Sequence, residues 1–470
     1  MITFGTGGFR AVIGDQFTKQ NVQTIGMALS SILAEINGRE TKPVIIGYDR
    51  RFLSKEAAQW LAEAFVAAGI TVHFINYSCP TPLVMFTVGQ EDSVLGCMIT
   101  ASHNPAIYNG VKLFTHGGRD ADQSFTDIVA QKCRQVAWEN DLPSLQDAKR
   151  SGLLRYIDPM NGYLDNIIQR IDITKIRDAH LHIAFDPMFG VATNAIQTIL
   201  LTARCRVDLI HQQHDPLFGS ELPAPDTLTM RQLQVMVTNG YYHYHLGIAT
   251  DGDADRLGVV DEKGEYVDSH RILALVYYYL LKYKHMRGDV VRNVATSMMV
   301  DRIAEAYGEQ SWEVPVGFKY VTAAMAAHDA LVGGESSGGL TVRGYLQGKD
   351  SVFAASLLVE MLAVTGKPIS QLVAEMEARF GKFYTEEEQI PIDAEQKTQF
   401  RQYLKKVRSL ARIPGAIGVS MLDGQKVTFA DGWCLVRLSG TEPLLRITAE
   451  GNTVAQAREY IQAVKKKMGL

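Results

Sequence analysis

Ser102 sits in the segment Thr100-Ala101-Ser102-His103-Asn104-Pro105, directly after the apolar run Val94 to Ile99, so a hydroxyl is placed where a strand breaks into a loop. A serine hydroxyl is a weak nucleophile until a base, a metal or a charged pocket activates it. Ser102 is therefore a candidate to carry a phosphoryl group on condition that such groups occur elsewhere in the chain. Read alone, the same segment also makes an ordinary polar turn, because Ser, Asn and Pro are favoured at strand ends and Asn-Pro turns the backbone out of helix.

The condition is met at Asp251-Gly252-Asp253-Ala254-Asp255-Arg256, between the apolar stretches Leu246 to Ala249 and Leu257 to Val260. This reads as a loop between two strands with an aspartate at every second position. Alternate residues of an extended segment point the same way, so the carboxylates converge. A hard divalent cation relieves their repulsion, and Mg²⁺ suits oxygen ligands while leaving part of its shell to phosphate oxygens. Asp251, Asp253 and Asp255 with one oxygen of phosphorylated Ser102 thus make a sensible metal site. Two rivals stay open. The same aspartates with Glu262 at the last position mimic a calcium-binding EF-hand, although Arg256 replaces its glycine and strand-like segments replace its helices. In an aspartyl-phosphate enzyme Asp251 or Asp253 would itself be the nucleophile, which leaves the Ser102 loop without a purpose.

Two later segments carry groups suited to a polar, anionic ligand. In Gly333-Gly334-Glu335-Ser336-Ser337-Gly338-Gly339, glycines bracket a carboxylate and hydroxyls, an acceptor and donors for neighbouring sugar hydroxyls; a glycine-rich turn without function is the alternative. In Arg437-Leu438-Ser439-Gly440-Thr441-Glu442-Pro443-Leu444-Leu445-Arg446, arginines and hydroxyls surround a glycine that lets backbone N–H groups approach an anion. Ser439 and Glu442 have capping-box spacing, but Pro443 and the strand-like Leu444 to Thr448 make a helix cap the poorer fit.

A chain of 470 residues is too long for one ordinary core. Its 47 Lys and Arg nearly balance 51 Asp and Glu, for a net charge of −4, so no basic field invites nucleic acid and an anion must be held by local arginines. Cys79, Cys97, Cys133, Cys205 and Cys434 are scattered and form no Cys-x-x-Cys pair, which argues against a disulfide framework or a zinc site. The chain opens on strand-like Ile2-Thr3-Phe4, and its longest apolar run, Ile272 to Leu281, is too short to span a bilayer. A cytoplasmic protein, neither secreted nor membrane-bound, is expected.

The elements that must position these groups alternate. Val44 to Asp49 precedes a helix over Lys55 to Ala68, His182 to Asp186 precedes a helix from Ala192, and Asp289 to Val294 precedes one over Met298 to Tyr307, the pattern of parallel α/β layers. After Glu386-Glu387-Glu388 a long polar helix is expected, then Ile417 to Met421, Lys426 to Ala430 and Trp433 to Leu438 joined through Asp423-Gly424 and Asp431-Gly432, strong hairpin signals. A helix from Val454 to Lys466 closes this part, a small α+β domain with an antiparallel sheet.

The four segments, in this order and over nearly the whole length, resemble the active-site signatures of the α-D-phosphohexomutases, the phosphoglucomutase and phosphomannomutase family. The resemblance implies a sugar-reading loop with Glu335 and Ser337, and a phosphate-binding loop with Arg437, Ser439, Gly440, Thr441 and Arg446. Phe4-Gly5-Thr6-Gly7-Gly8-Phe9-Arg10 resembles the family's N-terminal loop, whose arginine, Arg10 here, lies near the phosphoserine. Asn109-Gly110-Val111-Lys112 resembles the segment after it, and Lys349-Asp350 a Lys-Asp pair after the sugar loop, with Ser351 in place of a glycine. Arg256 joins the substrate-binding set, and His103, Lys112 and Lys349 are the candidate general bases. Gly339 stands where mannose-accepting relatives often carry histidine, which leaves the epimer open.

The implied fold is three similar α/β domains with mixed, mainly parallel sheets, followed by the α+β domain, around a central cleft, with boundaries at 1–152, 153–256, 257–370 and 381–470. The implied reaction interconverts hexose 1- and 6-phosphates, glucose favoured and mannose next. Phospho-Ser102 gives its phosphoryl group to the sugar, and a hexose 1,6-bisphosphate, intermediate and activator, returns the other one. Mg²⁺ is the expected cofactor and hexose phosphates the expected partners, with no nucleic acid or membrane, in a monomer or homodimer. The alternatives are a glucose 1,6-bisphosphate synthase on the same scaffold and a sugar-phosphate-binding regulator without turnover; a mere binder needs no metal-held phosphoserine.

Overall fold

The first sheet grows from strands too apolar to tolerate solvent on either face. Val44–Tyr48 and Leu95–Ile99 are buried at every position, as strands of a covered parallel sheet are, and they pair in parallel with each other. The helices Ser54–Ala67 and Thr81–Gln90 pack on them. Val72–Ser78 and Leu154–Ile157 extend the parallel part on one side. On the other side Tyr108–Thr115 runs antiparallel to Leu95–Ile99, and Gly8–Val12 antiparallel to Tyr108–Thr115. The Ser102 loop is the connection between Leu95–Ile99 and Tyr108–Thr115, at the carboxyl end of the parallel strands, where open α/β sheets bind ligands. The computed structural model describes residues 2–5, 8–37, 42–139, 141–406, 410–440 and 443–470.

The second sheet repeats the arrangement. Arg206–Leu209, His182–Asp186 and Leu246–Thr250 are parallel, and Leu257–Val260 and Tyr266–Val267 follow antiparallel. The aspartate loop joins Leu246–Thr250 to Leu257–Val260, so this sheet continues past the boundary read at 256, because the chain hairpins back onto the strand that precedes the loop. The third set of strands, Ser311–Val314, Val290–Asn293 and Val332–Gly334, is parallel. The fourth sheet is antiparallel throughout, in the order Tyr384–Pro391, Leu444–Gly451, Gly432–Leu438, Gln425–Phe429, Gly418–Ser420. Three α/β domains followed by an α+β domain are thus present, with hairpins at the Asp-Gly turns. The helix Val454–Met468 buries Ala457, Ile461 and Val464 against Val427, Cys434, Val436, Leu445, Ile447 and Ala449.

One strand was illegible in the apolar pattern. The run Glu386-Glu387-Glu388 lies inside Tyr384–Pro391, an edge strand, and the polar helix follows at Ala394–Lys405 behind an Asp393/Gln396 capping box. Glu386 pairs with Arg458 at 3.1 Å and Glu388 with Lys465 at 2.7 Å. Charged side chains on an edge also deter strand addition by other chains.

By its internal contacts the chain forms two compact units, Met1–Asp268 with Gly339–Ser370, and Ser269–Gly338 with Gln371–Leu470. The helix Ser351–Thr365, apolar nearly all round, packs within the first unit on Ile173–Asp178 and Thr193–Thr202. Its N-cap is Asp350, whose Oδ1 accepts from the amides of Val352 at 2.8 Å and Phe353 at 3.1 Å, while Oδ2 accepts from the hydroxyls of Tyr163 at 2.8 Å and Tyr345 at 2.7 Å. Among the described residues no single helix is long and apolar enough to cross a membrane.

Candidate active site

Where Leu95–Ile99 ends, Thr100 Oγ1 accepts from the Ser102 amide at 2.8 Å, and Ser102 turns into the left-handed region with φ of 54°. For a residue with a Cβ that conformation costs roughly 1–2 kcal/mol, and such strain gathers at functional sites. The turn aims the buried Ser102 hydroxyl at the aspartate loop, where Oγ donates to Asp251 Oδ2 at 2.8 Å. His103 Nδ1 lies 3.3 Å from the same oxygen. Arg10 Nη1 donates to Asn104 Oδ1 at 2.6 Å. The Nε atoms of Arg10 and of Arg256 are buried without an acceptor, donors that an anionic group on Ser102 would suit.

The carboxylates converge by a different route from the strand alternation expected. Residues 251–256 form a turn in which Ala254 is left-handed, with φ of 63°. Asp251 Oδ1 accepts from the amides of Asp255 at 2.9 Å and Arg256 at 3.0 Å, which closes the turn on itself. One oxygen from each of Asp251, Asp253 and Asp255 then lies within 4.8 Å of the others, and all three residues are buried. Thr81 Oγ1 donates to Asp253 Oδ2 at 2.6 Å. Lys112 Nζ bridges Asp253 Oδ2 at 2.6 Å and Asp255 Oδ2 at 2.7 Å, and Lys349 Nζ lies 3.2 Å from Asp255 Oδ2.

The electrostatics follow from this packing. Burial, then the neighbouring Asp253 and Asp255 charges, pushes the Asp251 carboxyl well above the ordinary range. Burial also opposes ionisation of Asp255, but Lys112, Lys349 and Arg256 outweigh it and hold that carboxyl well below the ordinary range. Burial works against the Lys112 ammonium, and Asp253 and Asp255 outweigh it, so Lys112 stays charged. Burial and the charges of Arg256 and Arg10 push the His103 imidazole well below its usual value, so it is neutral. Asp253 Oδ1 and Asp255 Oδ1 are buried with no hydrogen-bond donor. An all-oxygen set with orphaned carboxylate atoms fits a hard divalent cation of the Mg²⁺ class.

Gly339 also belongs to the first unit, where a Cβ would come within 2.1 Å of the Lys349 stem. A bare backbone there lets the lysine pass toward Asp255. Thr81 escapes sequence reading because its partner is 172 residues away.

The second unit holds the other predicted groups. Glu335 follows Val332–Gly334, is buried, and its Oε1 accepts from the Gly317 amide at 2.8 Å, while the Ser337 hydroxyl donates to Oε2 at 3.4 Å. Arg437 and Arg446 stand directly opposite each other on adjacent antiparallel strands. Like charges so placed repel. Each is offset by a carboxylate, Asp423 at 3.3 Å from Arg437 and Glu387 at 3.5 Å from Arg446. Ser439 is buried and its amide donates to Leu444 O at 2.9 Å, with Gly440 exposed beside it. Thr441, like Glu442, Thr6 and Gly7, lies outside the described residues.

Comparison with known proteins gives a consistent picture. Family models described as phosphoglucomutase/phosphomannomutase match in chain order: alpha/beta/alpha domain I over residues 1–139, domain II over 161–264, domain III over 268–380, and the C-terminal domain over 370–467. A phosphoglucomutase/phosphomannomutase of Thermococcus kodakarensis is 29% identical over 464 residues, covering 98% of this chain and 96% of that relative. A probable phosphoglucosamine mutase of Pyrococcus horikoshii is 30% identical over 468 residues, again 98% and 96%. The crystal structure of a putative phosphomannomutase from Thermus thermophilus matches with a TM-score of 0.84 at 27% identity, over 100% of this chain and 99% of that one.

The aspartate loop rests on Gly190, where a Cβ would stand 2.8 Å from the carbonyl oxygens of Gly252 and Pro187 and 3.0 Å from that of Asp251. These are backbone atoms and cannot rotate away. Overpacking of this kind costs typically about 1–3 kcal/mol, so Gly190→Ala is expected to weaken Mg²⁺ binding roughly tenfold or more while the far-ultraviolet spectrum is kept. Titration calorimetry on the purified variant checks this, and unchanged Mg²⁺ affinity would show that the close approach does not set the loop.

Proposed function

The chain belongs to the phosphoglucomutase/phosphomannomutase family and is a phosphohexomutase, and from that premise we propose that it interconverts hexose 1-phosphates and 6-phosphates through phosphorylated Ser102, with glucose phosphates favoured and mannose phosphates next. The observation that carries this reading is the Ser102 hydroxyl 2.8 Å from Asp251 at the rim of a buried carboxylate cluster. A binding protein needs no such juxtaposition.

Asp251, Asp253 and Asp255 would hold a divalent cation of the Mg²⁺ class, which when bound neutralises negative charge on a transferring phosphoryl group. In the forward half-reaction the phosphorus bound to Ser102 Oγ forms a bond to a sugar hydroxyl oxygen as the bond to Oγ breaks. The sugar hydroxyl loses a proton, and His103, whose Nδ1 lies 3.3 Å from Ser102 Oγ, is the acceptor we favour among the candidate bases, because Lys112 is held as an ammonium between two carboxylates. Lys112 and Lys349 offset the carboxylate charge, and Arg10 and Arg256 face the phosphoryl oxygens. The resulting hexose 1,6-bisphosphate exchanges its two phosphates in the site and returns the other one to Ser102. Glu335 and Ser337 read sugar hydroxyls, while Arg437, Ser439, Gly440, Thr441 and Arg446 hold the phosphate that is not reacting. Since one relative is named a phosphoglucosamine mutase, glucosamine phosphates enter the comparison of substrates.

Ser102→Ala is expected to keep the fold and lose nearly all turnover, and intact-mass analysis is expected to find one phosphate on the parent after incubation with glucose 1,6-bisphosphate and none on the variant. Undiminished turnover in Ser102→Ala would return the choice to an aspartyl-phosphate mechanism. The same incubation with Mg²⁺ and glucose, mannose or glucosamine 1-phosphate ranks the substrates, and faster turnover of either of the latter overturns the glucose preference.

Chelation is expected to abolish turnover and Mg²⁺ to restore it. Ca²⁺ should bind without supporting efficient turnover because it prefers a larger and looser shell. Full activity in chelator would remove the metal from the mechanism.

Losing a charge-assisted hydrogen bond to phosphate is worth about 1.5–3 kcal/mol, or roughly ten- to a hundredfold in affinity. Arg446→Ala is therefore expected to weaken glucose and mannose phosphates alike by that factor, whereas Glu335→Ala is expected to reduce kcat more than phosphate binding. If Arg437→Ala and Arg446→Ala both bind substrate as the parent does, the fourth domain is not the phosphate clamp.

A further inference from the structure

Arg51 touches no carboxylate of the metal cluster and takes no part in the reaction described above. It sits in the turn after Val44–Tyr48, in the sequence Asp49-Arg50-Arg51, and its side chain is fully buried. Its guanidinium is spent on backbone carbonyls of a single loop. Nη2 donates to Ser102 O at 2.6 Å and Asn104 O at 2.6 Å, and Nη1 to Pro105 O at 2.9 Å and Tyr108 O at 3.0 Å. These four acceptors span the connection that carries the nucleophile.

The guanidinium is itself held by an ion pair and a ring, and the turn that carries it is tied to the far end of the loop. Asp49 Oδ2 lies 3.4 Å from Nε, and Asp49 Oδ1 accepts from the Arg51 amide at 2.9 Å and from Ser54 Oγ at 2.6 Å. Asn109, at the far end of the loop, donates to Ser54 Oγ at 2.9 Å and Phe52 O at 3.0 Å. The ring of Phe218 covers the guanidinium, 4.8 Å from its centroid.

Buried carbonyls outside regular structure must find donors, and a planar guanidinium fork offers several in fixed geometry where a lysine offers a single rotating point. The left-handed backbone of Ser102 persists only if its surroundings over-determine it. We propose that Arg51 is a positioning residue for phosphoryl transfer: by gripping the carbonyls of residues 102, 104, 105 and 108 it keeps Ser102 left-handed with Oγ aimed at Asp251. This rests on the reading of Ser102 as the phosphoryl carrier. Arg51 accordingly governs the rate at which Ser102 takes and gives a phosphoryl group, and leaves sugar-phosphate affinity to other residues.

The test uses full-length parent, Arg51→Lys and Arg51→Ala, each checked by thermal melting so that assays run well below unfolding. Misplacement of a reacting group by about an ångström can cost about a hundredfold in rate. Arg51→Ala is therefore expected to lose about that factor in kcat and in the single-turnover rate of Ser102 phosphorylation by glucose 1,6-bisphosphate, with KM for glucose 1-phosphate within roughly a factor of three. Added guanidinium ion, below denaturing concentration, is expected to restore part of the rate in Arg51→Ala and none in Arg51→Lys, which should fall between the other two. A purely scaffolding residue would lower the melting temperature without changing kcat in the folded fraction and without guanidinium rescue, and that outcome overturns the proposal. So does a rise in KM at unchanged kcat. Should Arg51→Ala fail to fold, Arg51→Lys together with Phe218→Leu, which uncovers the guanidinium without removing its hydrogen bonds, decides the matter by the same split between kcat and KM. A parent that Ser102 phosphorylation and turnover both fail to register in would refute the phosphoserine reading itself, whereas an active, phosphorylated parent with unaffected Arg51 variants refutes only the role of Arg51.

Discussion

Three carboxylates buried in one turn are the constraint around which the first unit is organised. Two like charges about 4 Å apart repel by roughly 4 kcal/mol at an effective dielectric constant near 20, and burial adds to that cost. The fold answers with groups from distant parts of the chain. Lys112 comes from the antiparallel strand that follows the Ser102 loop, Lys349 from the cap region of a later helix, and Thr81 from the first turn of another. The same need that a metal would meet has therefore recruited lysines, and Lys112 could be exchanged for neither a neutral nor an acidic residue without leaving Asp253 and Asp255 facing each other.

Around that cluster the strain is local and deliberate. Ser102 and Ala254 both occupy left-handed backbone without being glycine, one in each of the two loops that meet. Hydrogen bonds within each loop support these turns: the Ser102 amide donates to the Thr100 hydroxyl in one, and in the other the Ala254 amide donates to the Asp251 carbonyl while the Asp255 and Arg256 amides donate to the Asp251 carboxylate. Preorganised loops of this kind need not reorganise during phosphoryl transfer, where catalysis rests on position and charge. In the second unit strand register sets Arg437 and Arg446 opposite each other, and Asp423 and Glu387 offset their charge.

Much of this was legible in the sequence because side-chain type and position carried it. Ser102, the aspartates and the arginine-rich loop are recognisable as chemistry before any fold is known, and the Asp-Gly turns mark hairpins between apolar strands. What stayed hidden has physical reasons. Arg51 works through backbone carbonyls, which every residue owns, so no residue type announces its partners. Thr81 and Asp253 meet across 172 positions. The aspartates converge through a turn with a left-handed alanine rather than by alternation, a conformation that the alanine itself gives no reason to expect. Tyr384–Pro391 is a strand with three consecutive glutamates on both of its faces, so neither charge nor hydropathy shows a strand period there. The helix Ser351–Thr365 is apolar nearly all round, which signals burial without saying against what.

The segment Gly339–Ser370 closes a unit whose other part ends at Asp268, with 269–338 belonging elsewhere. A ribosome releases the chain in order, so the second sheet and the aspartate loop are synthesised well before the helix Ser351–Thr365 that packs on their layer and before Lys349. Domains usually fold as they emerge, yet this unit stays unfinished until Ser370 has left the tunnel, with the apolar surface for that helix exposed and one partner of Asp255 still missing. A truncation ending at Asp268 would keep the nucleophile and all three carboxylates but leave bare the apolar layer on which that helix packs, so the late segment, rather than any catalytic loop, completes the burial of this unit.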